Sequence, residues 1–323
     1  MTSNDRSGHP DDAIAVDLGA TNLRVGLVND KGEIGRMSVS AIPRDLPDAG
    51  CISSLIIRTI HSLVPDQELN NMAGIGIGVA GPVDRAHTTV MHPPNIPFDT
   101  IPLSGPIASE FGLPVRLVND CCAGLLGEAY FGAGKDCRNF VYLTISTGIG
   151  AGIIANGNIV LGRDGNAGEV GHFFVDGEYD LTCGCGGKGH WEGYASGRFL
   201  PRFYNEWQKK NGIVPEAAHS AGEVFTLVKQ NRNGTGDDFI RELGRINARG
   251  ISSIIVAYDP DRIILDGSVV LNNHDLIIPS MEQYADRYLR MPRLAISTLS
   301  GFAPLLGASI IARGYQTRFG SVE

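Results

Sequence analysis

Short apolar runs separated by turn residues predict a series of strands at the start of the chain. Residues 13–18 and 23–28 are apolar runs joined by the turn 19–22, and a second turn at 29–32 leads to a third strand at 33–39. Strands joined by such short turns pair with their neighbours in an antiparallel manner. The pattern therefore predicts an antiparallel meander.

A similar alternation returns in the middle of the chain. Residues 140–145 and 151–155 are apolar, the Gly-rich turn 146–150 lies between them, and Asn156-Gly157 leads into 158–161. The correspondence indicates a weak internal repeat, in which two related lobes each carry a mixed sheet and a glycine turn. We expect the two turns to face a shared cleft.

Elsewhere, apolar spacing predicts helices alternating with short buried strands, and the chain after residue 196 is mainly helical. The prolines between Met91 and Pro102 predict a loop. The longer predicted elements are helices near 49–63, 104–112, 236–257 and 304–317 and strands at 73–79, 114–118 and 262–265.

Composition limits the class of protein. The chain has 323 residues, 43% hydrophobic and 19% charged, which suffices for two lobes with cores of their own. The net charge is −8 and the sequence contains no polybasic run, so a nucleic-acid partner is not expected.

Cysteine usage and the chain start indicate the compartment. The six cysteines include one C-x-C pair and imply no disulfide framework. Residues 1–12 are polar, predict a flexible tail and lack the apolar core of a signal peptide. No apolar run reaches the ~18 residues of a membrane span. We expect a soluble cytoplasmic protein without a membrane partner.

The segment 168–192 holds the densest candidate chemistry. It contains four good metal ligands, namely His172, Cys183, Cys185 and His190. Two cysteines and two histidines are typical of a closed structural zinc site; the alternative is that loop cysteines lie near unrelated histidines. Glu169 and Glu192, interleaved with them, are candidate acceptors for sugar-like hydroxyls or else solvated carboxylates.

Two glycine turns are candidate phosphate sites. In the first, backbone amides of Gly19 and Ala20 and the side chains of Thr21 and Asn22 can point at phosphate oxygens, with Asp17 and Arg24 beside them. Asp17 can hold a water of Mg²⁺. The turn is not a Walker loop, because Gly-x-x-x-x-Gly-Lys-Ser/Thr is absent, and an ordinary hairpin turn is the alternative.

The second turn offers Thr147, Gly148 and Gly150 in a matching position. Gly267, after a buried strand, can let an adenine ring lie against bare backbone or can be a simple strand-end turn. Residues 76–81 match G-x-G-x-x-G, but a loop follows instead of a helix, which argues against dinucleotide binding. Their glycines are better explained by close backbone packing.

Asp120 is the candidate catalytic residue. Asn119-Asp120 ends a strand and opens a helical run at 121–131. A carboxylate there can accept a hydroxyl proton during phosphoryl transfer, or it can cap the helix, and the two roles are compatible.

Taken together, these motifs resemble the ROK family of sugar kinases, within the actin-like ATPase superfamily, from about Ala13 to Arg313. The resemblance rests on Asp17–Asn22, Gly78–Val83, Pro94-Asn95, Asn119-Asp120, Thr147–Gly152, Glu169 with His172, Cys183–Glu192 and Ser196-Gly197.

The resemblance implies an α/β, two-lobed fold with a ribonuclease-H-like core and a deep interlobe cleft. The smaller lobe would span 13–118 together with a C-terminal helix at about 304–318. The larger lobe would span 119–303 and include the metal loop, 172–190.

The resemblance also implies roles for individual residues. ATP phosphates would lie along the turns at 19–22 and 147–150, and Asp120 would be the base at the sugar 6-hydroxyl. Sugar hydroxyls would be held by Asn95, Asn119, Asp120, Glu169, His172 and Glu192. His190 stands where the family usually has a third loop cysteine; since His also binds zinc, we expect the site to persist with two thiolates.

The implied activity is ATP-dependent phosphorylation of a hexose, with glucose the commonest expectation and N-acetylmannosamine or another N-acylhexosamine the alternative. A non-catalytic sugar sensor is a further alternative, although the chain starts its first strand too early for an N-terminal helix-turn-helix. A homodimer is expected from the resemblance.

Overall fold

A computed structural model describes residues 12–19, 21–43, 45–84, 89–93, 96–214 and 216–314. Two compact units make up this part of the chain. The first takes in the described residues up to Cys137, then 152–167 and those from Thr298 onward. The second takes in 138–151 and 168–297.

The strands among these residues are β1 (Ala13–Leu18), β2 (Asn22–Val28), β3 (Ile34–Ala41), β4 (Ile75–Val79), β5 (Val83–Asp84), β6 (Thr89–Met91), β7 (Thr100–Pro102), β8 (Val115–Asn119), β9 (Phe140–Ile145), β10 (Ile149–Ala155), β11 (Asn158–Ile159), β12 (Arg262–Asp266) and β13 (Arg293–Ile296).

The α-helices are α1 (Gly50–Leu63), α2 (Asp66–Leu69), α3 (Ser104–Phe111), α4 (Asp120–Phe131), α5 (Glu192–Ala195), α6 (Leu200–Lys210), α7 (Ala221–Gln230), α8 (Thr235–Tyr258), α9 (Ser268–Leu271), α10 (His274–Tyr284) and α11 (Ala303–Ala312). None of the helices in the described residues combines the length and apolar character that crossing a membrane requires.

The predicted meander is confirmed in a five-stranded sheet with the order β3-β2-β1-β4-β8. β1 pairs with β2 and β2 with β3 in antiparallel fashion, whereas β4 pairs in parallel with β1 and with β8. β1 and β4 are buried along their whole length, as expected for central strands covered on both faces. The sheet is therefore mixed, as the sequence predicted.

Helices cover both faces of this sheet in the first unit. Ile14 and Val16 belong to a core cluster with Ile52 and Ile56 of α1. Ala15, on the alternate face of β1, packs instead with Leu305 and Ala308 of α11. The period-2 alternation of a strand thus separates two helical layers.

A second five-stranded sheet has the order β11-β10-β9-β12-β13, with β12 parallel to both β9 and β13. β10 and β11 form an antiparallel hairpin. Its Asn156-Gly157 turn has positive φ at both residues, as a two-residue hairpin of this kind requires. β13 was not predicted. A small antiparallel sheet, β5-β6-β7, contains β7 inside the stretch predicted as a loop.

Residues 120–137 group with the first unit, whereas the sequence interpretation placed them in the larger lobe from residue 119. The reason is backbone contact between α4 and α11. A β-carbon at Gly127 would lie 2.2 Å from the Ala303 carbonyl oxygen, and one at Gly307 would lie 1.7 Å from that of Ala123. Two glycines therefore let these helices touch, a pairing that local sequence does not show.

The predicted C-terminal helix is shorter than expected. α11 ends at Ala312, and Gly314 has a φ of +72°, the left-handed conformation that terminates helices. Residues 315–318, which the prediction included, lie outside the described residues.

Gly76 of the G-x-G-x-x-G run illustrates how closely β4 packs on α11. A β-carbon there would lie 1.9 Å from the Ala308 carbonyl oxygen, and one at Gly78 would lie 3.0 Å from the Ala123 side chain. These glycines serve strand–helix packing, as the sequence interpretation held.

Replacing Gly76 by Ala should destabilise the protein by about 1–3 kcal/mol, the usual cost of overpacking. Gly105→Ala is the matched control, since nothing lies within 4 Å of a β-carbon there. In helix α3 this change should be neutral or stabilising by up to ~1 kcal/mol. Urea unfolding followed by circular dichroism measures both variants; equal midpoints would contradict the packing account.

Candidate functional site

At the end of β1, Asp17 is a buried carboxylate with a cationic neighbour. Asp17 and Arg24 face each other across the β1–β2 pair, and Arg24 Nη1 lies 3.2 Å from Asp17 Oδ2. The same nitrogen donates to the Gly301 carbonyl at 2.8 Å. Arg24, predicted to serve the nucleotide site, therefore balances the charge of Asp17 in the structure.

The turn that follows is closed by its own backbone. Gly19 N donates to Asn22 O at 3.0 Å, and the side chains of Thr21 and Asn22 are exposed. A hydroxyl and an amide thus reach solvent beside Asp17. Ala20, the remaining residue predicted in this turn, lies outside the described residues.

The cap of α4 is Asn119, and Asp120 occupies the first helical turn. Asn119 Oδ1 accepts from Cys121 N at 2.9 Å, and its Nδ2 donates to the Gly81 carbonyl at 3.2 Å. Asp120 Oδ1 also accepts from Cys121 N, at 2.8 Å. Asn119 thus takes the capping role that the sequence left open for Asp120. Asn95, predicted beside them, lies outside the described residues.

In the second unit, the four predicted metal ligands come together. One ligand atom from each of the four residues lies within 4.8 Å of the other three: His172, Cys183, Cys185 and His190. Cys183 Sγ is 3.8 Å from His172 Nδ1, and Cys185 Sγ is 3.3 Å from His190 Nδ1. Donors of a tetrahedral zinc site lie about 3.3–3.8 Å apart, given bonds of about 2.0–2.3 Å. These two pairs have that spacing, and a zinc ion would draw in the wider pairs, which reach at most 4.8 Å.

Glycines shape the loop that brings these ligands together. Cys183 N donates to the Gly187 carbonyl at 2.7 Å, and Gly186 N donates back to the Cys183 carbonyl at 2.9 Å. Gly186 and Gly189 have φ values of +87° and +73°, a region in which a side chain is strained. The C-x-C pair thus lies in a tight turn of the chain, and this turn requires glycine at positions 186 and 189.

His172 presents its two ring nitrogens to different neighbours. Nδ1 faces Cys183, whereas Nε2 lies 3.6 Å from Glu169 Oε2. The surrounding protein raises the pKa of Glu169 above its ordinary value by desolvation, while His172 opposes the rise and Glu192 adds to it. One imidazole therefore joins the metal-ligand cluster to a candidate sugar acceptor.

Glu192 contacts both the metal-ligand loop and the second glycine turn. Its Oε1 lies 3.7 Å from Cys183 Sγ, and its Oε2 accepts from Ile149 N at 3.1 Å. Burial raises the pKa of Cys183 to about 11, and the charge of Glu192 adds to the rise. Because a metal ligand must be a thiolate, metal binding here would release the thiol proton.

The predicted nucleotide residues of the second unit lie in the turn between β9 and β10, at the start of β10 and directly after β12. Ser146 N donates to Gly148 O at 2.9 Å, so the turn is closed while Thr147 stays exposed. Gly150 follows in β10. Gly267 has a φ of +92°, and a β-carbon there would lie 2.5 Å from the Ile145 carbonyl oxygen. Only glycine fits this position, which leaves bare backbone at the end of β12.

A model of the ROK family matches residues 13–315 of this chain. A curated relative, a glucokinase from Pyrobaculum calidifontis, is 34% identical over 276 residues, which cover 85% of this chain and 86% of the relative. A glucokinase from Streptomyces coelicolor is 32% identical over 322 residues, covering 93% of this chain and 97% of the relative.

Solved structures show the same similarity. A ROK family glucokinase from Streptomyces griseus, in complex with glucose and AMPPNP, has a TM-score of 0.77 at 30% identity and covers 94% of this chain and 100% of its own. A putative N-acetylmannosamine kinase from Listeria monocytogenes has a TM-score of 0.75 at 26% identity, covering 93% and 97%. The fold is thus the actin-like ATPase fold of ROK sugar kinases.

The sequence interpretation missed Asp176, a buried carboxylate behind the metal-ligand loop. Its Oδ2 accepts from Tyr179 N at 2.8 Å, Tyr194 OH at 2.9 Å and Glu178 N at 3.1 Å. Arg249 Nη1 of α8 lies 3.6 Å from Oδ1. The available signal was an Asp directly after the apolar run Phe173-Phe174-Val175, since a carboxylate that such a run carries into the interior needs partners.

Asp176→Ala should lower the free energy of unfolding by about 2–4 kcal/mol, because two backbone amides and a tyrosine hydroxyl lose their acceptor. Glu178→Ala is the control: its ion pair with Lys210 is exposed, so the loss should stay below about 0.5 kcal/mol. Chemical unfolding of both variants checks this. Equal losses would show that Asp176 does not organise the loop.

Proposed function

This chain belongs to the ROK family, and from that membership we propose that it is an ATP-dependent hexose kinase that phosphorylates the 6-hydroxyl, with glucose as its substrate. The observation that carries the proposal is the cluster in the second unit, where Glu169 and Glu192 lie beside a four-ligand set that includes His172. Two curated relatives that cover most of the chain are glucokinases.

The sugar is recognised by acceptors on a loop whose geometry the ligand cluster fixes. Sugar hydroxyls donate hydrogen bonds, and carboxylates accept the stronger, charge-assisted kind. Glu169 and Glu192 supply such acceptors in the second unit, and His172, with Nδ1 on the ligand cluster, can donate from Nε2–H to a hydroxyl oxygen. Asn95, Asn119 and Asp120 add to them in the proposal.

Asp120 acts as the base. A carboxylate near the attacking hydroxyl accepts its proton as the γ-phosphoryl group is transferred, and the remaining catalysis is positioning and charge stabilisation. Asn119 supports this role, because its cap and its bond to the Gly81 carbonyl fix the start of α4.

ATP is held by the two glycine turns in the proposal. The exposed Thr21, Asn22 and Thr147 offer side-chain donors, and glycines 19, 148 and 150 let phosphate oxygens approach the backbone. Gly267 receives the adenine ring. Asp17, balanced by Arg24, is the carboxylate that would hold Mg²⁺ through water, and the ion would supply positive charge to the β- and γ-phosphates.

N-acetylmannosamine is the second candidate substrate. The similarity to a putative N-acetylmannosamine kinase, at a TM-score of 0.75, favours it as the alternative. A sugar sensor without catalysis is the third candidate function.

Turnover on glucose, mannose, N-acetylglucosamine and N-acetylmannosamine, measured as ADP release, decides among these functions. The fastest turnover on glucose supports the proposal, whereas the fastest turnover on N-acetylmannosamine favours the alternative. No turnover on any of the four sugars favours the sensor.

Zinc is the proposed ion of the four-ligand cluster, and its role there is structural. Two thiolates and two imidazoles fill a tetrahedral site, which leaves no open position for substrate. A homodimer and a cytoplasmic location stay predictions from the sequence.

Asp120→Asn should lower kcat by roughly 10²–10⁴-fold, the usual contribution of a general base. Glucose binding should persist in part, because the amide keeps the shape of the carboxylate. Steady-state kinetics and calorimetric titration with glucose separate the two effects. A variant with most of the wild-type turnover would remove Asp120 from the role of base.

The protein as purified should hold one zinc ion per chain, and His190→Ala should lower both the zinc content and the melting temperature. His219→Ala removes an exposed histidine outside the cluster and should change neither. Elemental analysis and thermal unfolding measure the two quantities. Full occupancy in His190→Ala would exclude this histidine as a ligand.

A further inference from the structure

Residues 192–198, which we name the bracket segment, contact the turn between β9 and β10. Gly197 N donates to the Ser146 carbonyl at 2.7 Å, and Arg198 N donates to the Thr147 carbonyl at 3.3 Å. Carbonyl oxygens repel phosphate oxygens. Because the bracket segment engages these two carbonyls, the turn can direct its donors toward an anion.

The first residue of the bracket segment holds the same turn through its side chain. Glu192 Oε2 accepts the Ile149 N–H at 3.1 Å. A β-carbon at Gly148 would lie 2.6 Å from that oxygen. Glycine at position 148 therefore makes room for the Glu192 carboxylate. This role is separate from the proposed approach of a phosphate oxygen to its backbone.

The backbone around Glu192 is anchored by buried hydrogen bonds on both sides. Ser196 is fully buried, and its hydroxyl donates to the Glu192 carbonyl at 2.8 Å. On the other side of Glu192, the buried Trp191 donates through its indole nitrogen to Asn247 Oδ1 at 2.8 Å. The position of the Glu192 backbone is thus fixed on both sides.

We infer that Glu192 is a positioning residue for the nucleotide as well as a sugar acceptor, so that the bracket segment couples the sugar site to the phosphate turn. The inference rests on the proposed function, which assigns the sugar to Glu192 and the phosphates to the turn. It adds that the carboxylate sets nucleotide affinity even when no sugar is bound, because its bond to Ile149 N involves no sugar.

The test is the affinity for AMPPNP with Mg²⁺ in the absence of sugar, measured by calorimetric titration. Glu192→Ala should weaken binding about ten-fold, because the turn loses the acceptor of Ile149 N and with it part of its preorganisation for the phosphates. Glu192→Gln keeps an acceptor for Ile149 N and should recover most of the affinity.

Glu169→Ala is the matched control, because it removes the other proposed sugar carboxylate, whose contact in the structure is with His172. Its AMPPNP affinity should equal that of the wild type. Folded Glu192→Ala protein that binds AMPPNP like the wild type would overturn the coupling, as would equal weakening in Glu169→Ala.

Glucose binding by the same variants distinguishes failure of the proposed function from failure of the positioning role. If Glu169→Ala and Glu192→Ala both bind glucose like the wild type, the sugar assignment is wrong, whereas weaker AMPPNP binding in Glu192→Ala still supports the positioning role. A wild-type protein that binds no AMPPNP would overturn both.

Discussion

The position of the His172 ring is the constraint on which the candidate sugar site depends. Its Nδ1 lies 3.8 Å from Cys183 Sγ, and its Nε2 lies 3.6 Å from Glu169 Oε2. An imidazole that binds metal through one nitrogen is oriented by what the other contacts. A flexible Gly-rich loop can therefore present carboxylates in one arrangement, because the ligand cluster removes the freedom that its glycines would otherwise give.

Around this constraint the chain uses backbone contact instead of long side chains. Glycines let α4 touch α11 and β4 touch α11 in the first unit, and Gly148 makes room for a carboxylate in the second. Close approach of this kind limits how far the elements can shift, since packed interiors contain few voids and have low compressibility. Residues that bind small polar ligands need such support, because an acceptor displaced by an ångström loses its hydrogen bond.

The parts that could be predicted from the sequence were those set by local periodicity and motif spacing. β1 spans the predicted residues, and the ends of α1 and α8 lie within one residue of the predicted ends. The four predicted metal ligands lie together. What could not be predicted depends on distant partners: the grouping of α4 with α11, the strand β13, and the buried Asp176. The sequence grouped Arg24 with the first glycine turn but did not show its ion pair with Asp17 across the strand pair, and its role toward the nucleotide stays a prediction.

The central claim is that the ligand cluster orients the sugar acceptors, and one measurement tests it most directly. Glucose affinity is determined by calorimetry on protein stripped of zinc, shown by circular dichroism to be folded, and then on the same protein after zinc is restored. The account predicts that glucose affinity falls on stripping and returns with zinc. Folded, zinc-free protein that binds glucose as tightly as the zinc-loaded form would contradict it.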